Sequence, residues 1–133
     1  MIPRVPLREA FSDPNLLGTA LAGDSWRSWR TLLIAAMGEE LRDDEREIFS
    51  KLTGREREPL QRVDQFAAVI GRRGGKSRAV ATLATYIAGL CEHSDALVPG
   101  ERGVLLCVAL DQRVASLPFS VAIPSAFDNL DRS

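Results

Sequence analysis

The sequence predicts an α/β fold, with one parallel βαβ unit preceded by an α-helical N-terminal segment. Residues 65–70 and 104–110 are short apolar runs, which are typical of buried strands. Residues 76–90 lie between them and carry apolar side chains at helical spacing. A strand, a helix and a strand in this order form a parallel, right-handed crossover. One such unit cannot bury both faces of a parallel sheet, so the predicted core is incomplete.

Composition indicates an ordinary soluble domain. The 133 residues are 45% hydrophobic and 26% charged, which excludes an intrinsically disordered chain. A formal net charge of −1 gives no overall attraction to nucleic acid or to anionic membranes. The longest apolar run, residues 104–110, is too short to cross a bilayer, and the N-terminus lacks the apolar core of a signal peptide. We therefore expect a cytoplasmic protein without a membrane partner.

Residues 1–60 are predicted to form a helical lead-in. After an irregular start over residues 1–23, Asp24 is placed to cap a helix that runs to Ala36. Trp26 and Trp29 lie on its apolar stripe, where they either anchor the helix to a core or dock a partner. A second predicted helix follows Gly38 and ends near residue 54.

The second helix has recognisable start and stop signals. Asp44 and Glu47 have the spacing of a capping box, and Gly54 is suited to end the helix. The next residues, 55–59, alternate in charge and are predicted to be a solvated connector. Residues 61–115 then form the predicted βαβ core. Residues 116–133 are an irregular tail without helical or alternating periodicity.

The predicted helix of the core has one apolar face. Its members are Val80, Leu83, Ala84, Ile87 and Leu90. A loop over residues 95–103 leads to the second predicted strand, and residues 111–115 have the composition of a further helix start. Cys91 and His93 could be a metal-ligand pair, or a helix-end cysteine beside a solvated histidine. Because the chain offers no other histidine and only one other cysteine, the second interpretation is favoured.

The segment between the first predicted strand and the helix carries the chemistry. Its seven residues are Gly71, Arg72, Arg73, Gly74, Gly75, Lys76 and Ser77. Glycines let backbone N–H groups turn toward phosphate oxygens, and the N-terminus of the following helix favours an anion. A Lys-Ser pair supplies an ammonium group for the phosphates and a hydroxyl group for Mg²⁺. The pattern predicts a phosphate-binding loop; the alternative is a basic turn between a strand and a helix.

Four positively charged residues lie within or directly after this segment. Arg72, Arg73, Lys76 and Arg78 could bind DNA phosphates or a nucleoside triphosphate. Their position at a glycine turn favours the triphosphate. In a ring-shaped motor, an arginine here could also stabilise the phosphoryl group during transfer.

The glycine-rich segment resembles the variant Walker A loop of bacteriophage and prophage terminase large subunits, the motors of viral DNA packaging. Their loop has the form small-Arg-x-x-Gly-Lys-Ser/Thr, which residues 71–77 match without a gap although they are one residue shorter than the general P-loop pattern. Residues 13–18, 52–56, 59–61 and 108–112 also look like terminase sequence, so that the resemblance covers roughly residues 11–115. It implies a P-loop NTPase-like core of the RecA type.

The resemblance also implies ligands and partners. Lys76 would hold the β- and γ-phosphates of ATP, Ser77 would bind Mg²⁺ through its hydroxyl, and Arg72 would be the loop arginine of the family. Gln61 would contact adenine; the alternative for it is an exposed loop residue. The implied partners are the terminase small subunit, the portal protein and double-stranded DNA.

The family's hydrolytic residues are not found in this sequence. Asp111 follows an apolar run but precedes Gln112, where ATP hydrolysis requires a glutamate, and no acidic cluster of a two-metal nuclease follows. No catalytic residue is therefore assigned, and we expect a truncated terminase that is inactive alone. The open alternatives are a module that binds nucleotide or a partner without turnover, and a fragment of another P-loop NTPase.

Overall fold

A computed structural model describes residues 1–71 and 74–106, and within them the protein is mainly helical. The elements in chain order are β1 (Ile2–Pro3), α1 (Leu7–Ser12), a 3₁₀ turn (Asp24–Trp26), α2 (Arg27–Ala36), α3 (Asp43–Thr53), α4 (Lys76–Gly89) and β2 (Cys91–Glu92). The two strands pair antiparallel, with Ile2 opposite Glu92 and Pro3 opposite Cys91. This short ribbon joins the start of the chain to the residues that follow α4.

The core lies where α1, α2 and α4 meet. Its fully buried side chains include Leu7, Leu33 and Tyr86, each with an exposed fraction of 2% or less. Burial of a Leu side chain stabilises the fold by about 1.5–3 kcal/mol. The Tyr86 hydroxyl donates a 2.7 Å hydrogen bond to the Val5 carbonyl, which ties α4 to the N-terminal segment. Burial also raises the pKa of this hydroxyl.

The start of α3 differs from the predicted capping box. The helix begins at Asp43, and the backbone N–H of Arg42 donates to Glu45 Oε1 at 2.9 Å. The pair Arg42–Glu45 has the same spacing as Asp44–Glu47 but lies two residues earlier, and it places three acidic residues in the first turn, where the helix dipole favours them. The predicted end is confirmed, because Gly54 adopts a left-handed conformation with φ 72°.

The predicted parallel strands are not formed among the described residues. Residues 65–70 and 104–106 are assigned to no strand, and the Val69 side chain is fully exposed. A strand is stable only when a neighbour completes its ladder of backbone hydrogen bonds, and neither segment has one here. The rest of the second predicted strand, the helix start at residues 111–115 and the tail over residues 116–133 lie outside the described residues.

Helix α4 has nearly the predicted bounds, and its buried face is wider than predicted. Ala79, Thr82 and Tyr86 are fully buried against the core. The members of the predicted apolar face divide into three groups: Val80 is exposed, Leu83 and Ile87 are half-buried, and Ala84 and Leu90 are buried. Leu83 and Ile87 also pack against the core, so the prediction is correct for four of the five residues and wrong for Val80.

Glu58 corrects the prediction of a solvated connector at residues 55–59. Its side chain is buried and accepts two hydrogen bonds from the Arg46 guanidinium, at 3.1 Å and 2.9 Å. These hydrogen bonds hold the pKa of the Glu58 carboxyl group below its ordinary value. The ion pair fastens the connector to α3, while Arg55, Glu56 and Arg57 remain exposed, as expected.

Candidate functional site at the start of helix α4

The glycine-rich segment leads directly into the 14-residue helix α4, as predicted. Gly75 is the residue before the first helical turn, and its φ of 77° lies in the left-handed region that favours glycine. The Gly74 N–H donates to the Gly71 carbonyl at 3.2 Å, so these two glycines lie close together at the glycine turn. Arg72 and Arg73 lie outside the described residues.

The first N–H groups of helix α4 have no hydrogen-bond acceptor among the described residues. The first helical hydrogen bond runs from the Ala79 N–H to the Gly75 carbonyl at 3.0 Å, which leaves the N–H groups of Lys76, Ser77 and Arg78 without a helical acceptor. No side chain among the described residues caps this end, and the first turn of α4 contains no acidic residue. Free N–H groups together with the helix dipole favour an anionic ligand at such a terminus.

Lys76 and Ser77 are both exposed in the first turn of α4. Among the described residues, no hydrogen bond or ion pair engages the Lys76 ammonium group or the Ser77 hydroxyl. Both groups are therefore available to the ligands that the sequence predicts for them, phosphate oxygens and Mg²⁺. The donors at this terminus fit the phosphates of a nucleotide in chemical type and in charge.

Arg78, a member of the predicted basic cluster, makes its described contacts with residues of the lead-in. Its Nε donates to the Ala20 carbonyl at 2.6 Å, and its guanidinium group lies 5.7 Å from the centre of the Trp26 ring. This cation–π contact and the hydrogen bond direct the side chain toward the lead-in. Arg78 therefore links α4 to the residues before α2.

Two tryptophans of the lead-in pack on the glycine turn. The Trp29 indole donates a 2.6 Å hydrogen bond to the Gly74 carbonyl. A Cβ atom on Gly75 would lie 2.5 Å from the Trp26 ring, so only glycine fits at this position. Trp29 is also buried in the core, which confirms the anchoring interpretation for this residue. Close packing is thus a reason for Gly75 that is independent of the predicted phosphate binding, and the sequence alone did not reveal it.

Gln61 lies away from the turn. Its backbone packs against Gly38, just beyond the C-terminal end of α2, and its side chain is exposed. The turn instead contacts Trp26 and Trp29 near the N-terminal end of α2. At 1.5 Å per residue, these two ends of the helix are separated by roughly 10–15 Å. The structure does not bring Gln61 together with Lys76 and Ser77.

The predicted metal-ligand alternative at Cys91 and His93 finds no support in the described geometry. A His93 ring nitrogen lies 2.8 Å from the Ile87 carbonyl, with which it forms a hydrogen bond. Cys91 is buried, and burial raises the pKa of its thiol, which disfavours the thiolate form that binds metals. Within residues 1–71 and 74–106, no group of three or more His, Cys, Asp or Glu side chains is arranged to hold a metal ion.

Comparisons with family models, with curated proteins and with solved structures each find no match to the chain. In the described part of the chain, no helix combines the length and the apolar character needed to cross a membrane.

Proposed function

We propose that residues 71–77 bind the phosphates of ATP, and that the chain is the ATP-binding portion of a terminase large subunit. The observation that carries the proposal is the start of α4. A left-handed Gly75 precedes a helix whose first N–H groups have no acceptor in the part of the chain that the structure describes, and whose first turn presents Lys76 and Ser77 to solvent. The match of residues 71–77 to the loop variant of terminases supports the choice of family.

Each group at this terminus has a distinct role in the proposal. The backbone N–H groups donate to phosphate oxygens, and the Lys76 ammonium group neutralises charge on the β- and γ-phosphates. The Ser77 hydroxyl holds Mg²⁺, and Arg72 and Arg73 add positive charge. Bound Mg²⁺ would draw electron density from the phosphates. The corresponding partners are the terminase small subunit, the portal protein and double-stranded DNA, with a RecA-type core as the proposed fold.

The proposal assigns nucleotide binding to these residues and leaves turnover unassigned. Hydrolysis of ATP needs a carboxylate that activates water, and Asp111 is followed by Gln112 where the family pattern requires a glutamate. Gln61 stays a predicted adenine contact, because the adenine ring of ATP lies well away from its β- and γ-phosphates.

Calorimetric titration with Mg·ATP tests the proposal. We expect saturable binding by the wild-type chain and at least a tenfold weaker affinity for Lys76→Ala, which loses the ammonium group that contacts the phosphates. Lys51→Ala is the matched control, because Lys51 is an exposed helical lysine whose 3.4 Å ion pair is with Glu47 in α3. Equal affinities for the wild-type chain and Lys76→Ala would contradict the phosphate site.

A second candidate function, the binding of a partner subunit without nucleotide turnover, is favoured by the apolar surface. Phe66, Val69, Val80, Val104 and Leu106 are exposed large apolar residues. Exposed apolar side chains are a feature of interaction sites in soluble proteins. In a pull-down with purified terminase small subunit, Val69→Asp would abolish capture and leave Mg·ATP affinity unchanged. Capture that survives Val69→Asp would exclude this surface as the contact.

A further inference from the structure

The hydrogen bond between Trp29 and Gly74 connects a buried helix to the proposed phosphate site. Trp29 lies in α2 and is buried, whereas Gly74 is exposed at the turn before α4. At 2.6 Å, this bond between Nε1 and the carbonyl oxygen is short for an N–H donor. It joins residues 45 positions apart in the chain, so it is a tertiary contact rather than a feature of the turn itself.

The bond fixes the orientation of one peptide group. The peptide between Gly74 and Gly75 is trans, and in a planar trans peptide the C=O and N–H bonds point in opposite directions. Because the Gly74 carbonyl points toward Trp29, the Gly75 N–H points away from the tryptophan. Among the described residues it donates to no acceptor. It thus joins the free N–H groups of Lys76 and Ser77.

The Trp26 ring limits the alternatives open to this peptide. The ring packs so closely on Gly75 that a Cβ atom there would collide with it. With the ring on one side and the indole N–H of Trp29 bonded to the carbonyl, rotation of the peptide would break the hydrogen bond and displace a packed aromatic group. The lead-in therefore sets the direction of the Gly75 N–H before any ligand arrives.

We infer that Trp29 is a positioning residue for phosphate binding, acting through the carbonyl of Gly74 to aim the Gly75 N–H at a phosphate oxygen. This inference rests on the proposed function of residues 71–77 and adds to it a role for the helical lead-in. A donor fixed before binding carries a smaller entropic loss on binding than a mobile one. Loss of the indole N–H alone should therefore weaken phosphate binding, even when the aromatic bulk is kept.

The decisive experiment removes the indole N–H of Trp29 and keeps an aromatic ring at that position. Trp29→Phe and the control Tyr86→Phe, which loses a hydroxyl that donates to the Val5 carbonyl away from the turn, are titrated with Mg·ATP in parallel with the wild-type chain. We expect Trp29→Phe to bind about three- to tenfold more weakly, the effect of one hydrogen bond, and Tyr86→Phe to bind within about twofold of the wild type. Equal affinity for the wild-type chain and Trp29→Phe would overturn the inference and leave the phosphate site intact.

An isosteric substitution covers the case in which Trp29→Phe fails to fold. In the Trp26→Phe background Trp29 is the sole tryptophan, since the chain has two, so a benzothiophene analogue of tryptophan can replace it. The analogue has nearly the same shape and no N–H donor. The same loss of affinity is expected from the analogue, and unchanged affinity would refute the positioning role.

Amide spectra separate failure of the inference from failure of the proposed function. In a ¹⁵N-labelled wild-type chain, the Trp29 indole N–H should be protected from hydrogen exchange without ligand, and the Gly75 amide should shift on addition of Mg·ATP. Protection without any shift would reject the phosphate site, and with it the ligand role of Trp29. A Gly75 shift of equal size in Trp29→Phe would reject the positioning role alone.

Discussion

Residues 1–64 and residues 65–106 differ in how many of their large apolar side chains are exposed to solvent. In the first region most large apolar residues are buried or half-buried, and Ile2, Leu52 and Leu60 are the exposed exceptions. In the second region most are exposed, among them Phe66, Val69, Val80, Val104 and Leu106. The first region consists mainly of short helices that pack on each other, whereas the second has, apart from α4 and β2, segments that belong to no helix or strand.

The difference follows from where each element finds its hydrogen bonds. A helix satisfies its backbone internally and needs only a neighbour for its apolar stripe. An extended segment needs a second strand for its backbone as well. The apolar residues that the sequence assigns to a βαβ core are therefore the ones left in solvent when strand pairing is absent from the described residues. Four predictions test this contrast.

The largest effect is expected from the core of the first region. Leu33→Ala removes a side chain that is 2% exposed and leaves a cavity between α1 and α2. We expect a loss of about 3 kcal/mol in the free energy of unfolding. Urea denaturation followed by circular dichroism measures it. A loss below about 1 kcal/mol would mean that the helical region is not a packed core.

Gly75→Ala tests the contact that joins the two regions. The new methyl group would be strained by the φ of 77° and would collide with the Trp26 ring. We expect a loss of about 2 kcal/mol from the two effects together. Gly54→Ala is the matched control, because Gly54 has nearly the same φ, 72°, with no atom within 4 Å of the added Cβ.

Gly54→Ala should cost only about 1 kcal/mol, the strain term by itself. The difference between the two variants in the unfolding free energy isolates the Trp26 contact. If both variants lose the same free energy of unfolding, the Trp26 ring does not pack closely on Gly75.

The sequence predicted local features better than distant contacts. The end of α3 at Gly54 and the extent of α4 were predicted because glycine signals and helical periodicity act over a few residues. The bond from Trp29 to Gly74 and the pairing of Ile2 with Glu92 join residues far apart in the chain, and no local pattern encodes them. The predicted strands needed such a long-range partner too.

The same contrast between local features and distant contacts applies to the residues of the candidate site. Lys76 and Ser77 were placed correctly at the first turn of α4, because the motif and the helix signal are adjacent in sequence. Gln61 was assigned from a resemblance in chain order alone; its backbone packs against Gly38, and its contact with adenine stays a prediction. The contacts of Arg78 with the Ala20 carbonyl and the Trp26 ring could not be predicted from the sequence, because they join residues far apart in the chain.

A smaller effect is expected at the ion pair of the connector, through Glu58→Gln. Hydrogen bonds from Arg46 lower the folded-state pKa of Glu58, so this carboxylate stabilises the fold above its unfolded pKa of about 4.3. The contribution is complete above about pH 5 and is lost as the pH falls through the folded pKa. At pH 7 we expect Glu58→Gln to lose about 1 kcal/mol, since solvent screens the partly exposed Arg46.

The pH dependence distinguishes the charge from the packing of Glu58. Urea midpoints between pH 7 and pH 3 should converge for the wild-type chain and Glu58→Gln as the acid limit is approached. A constant gap between the two proteins across that range would show that the carboxylate acts through shape rather than through ionisation.

The smallest effect on stability is expected at Val69, in the second region. Val69→Ser changes a fully exposed side chain, so the free energy of unfolding should change by less than about 0.5 kcal/mol. The same change should reduce binding of the dye ANS, because Val69 is part of the exposed apolar surface. Leu33→Ser is the buried counterpart and should unfold the chain. If Val69→Ser instead destabilises the protein by as much as a core substitution, residues 65–70 are packed in solution, as the sequence predicted for a strand, and the contrast between the two regions disappears.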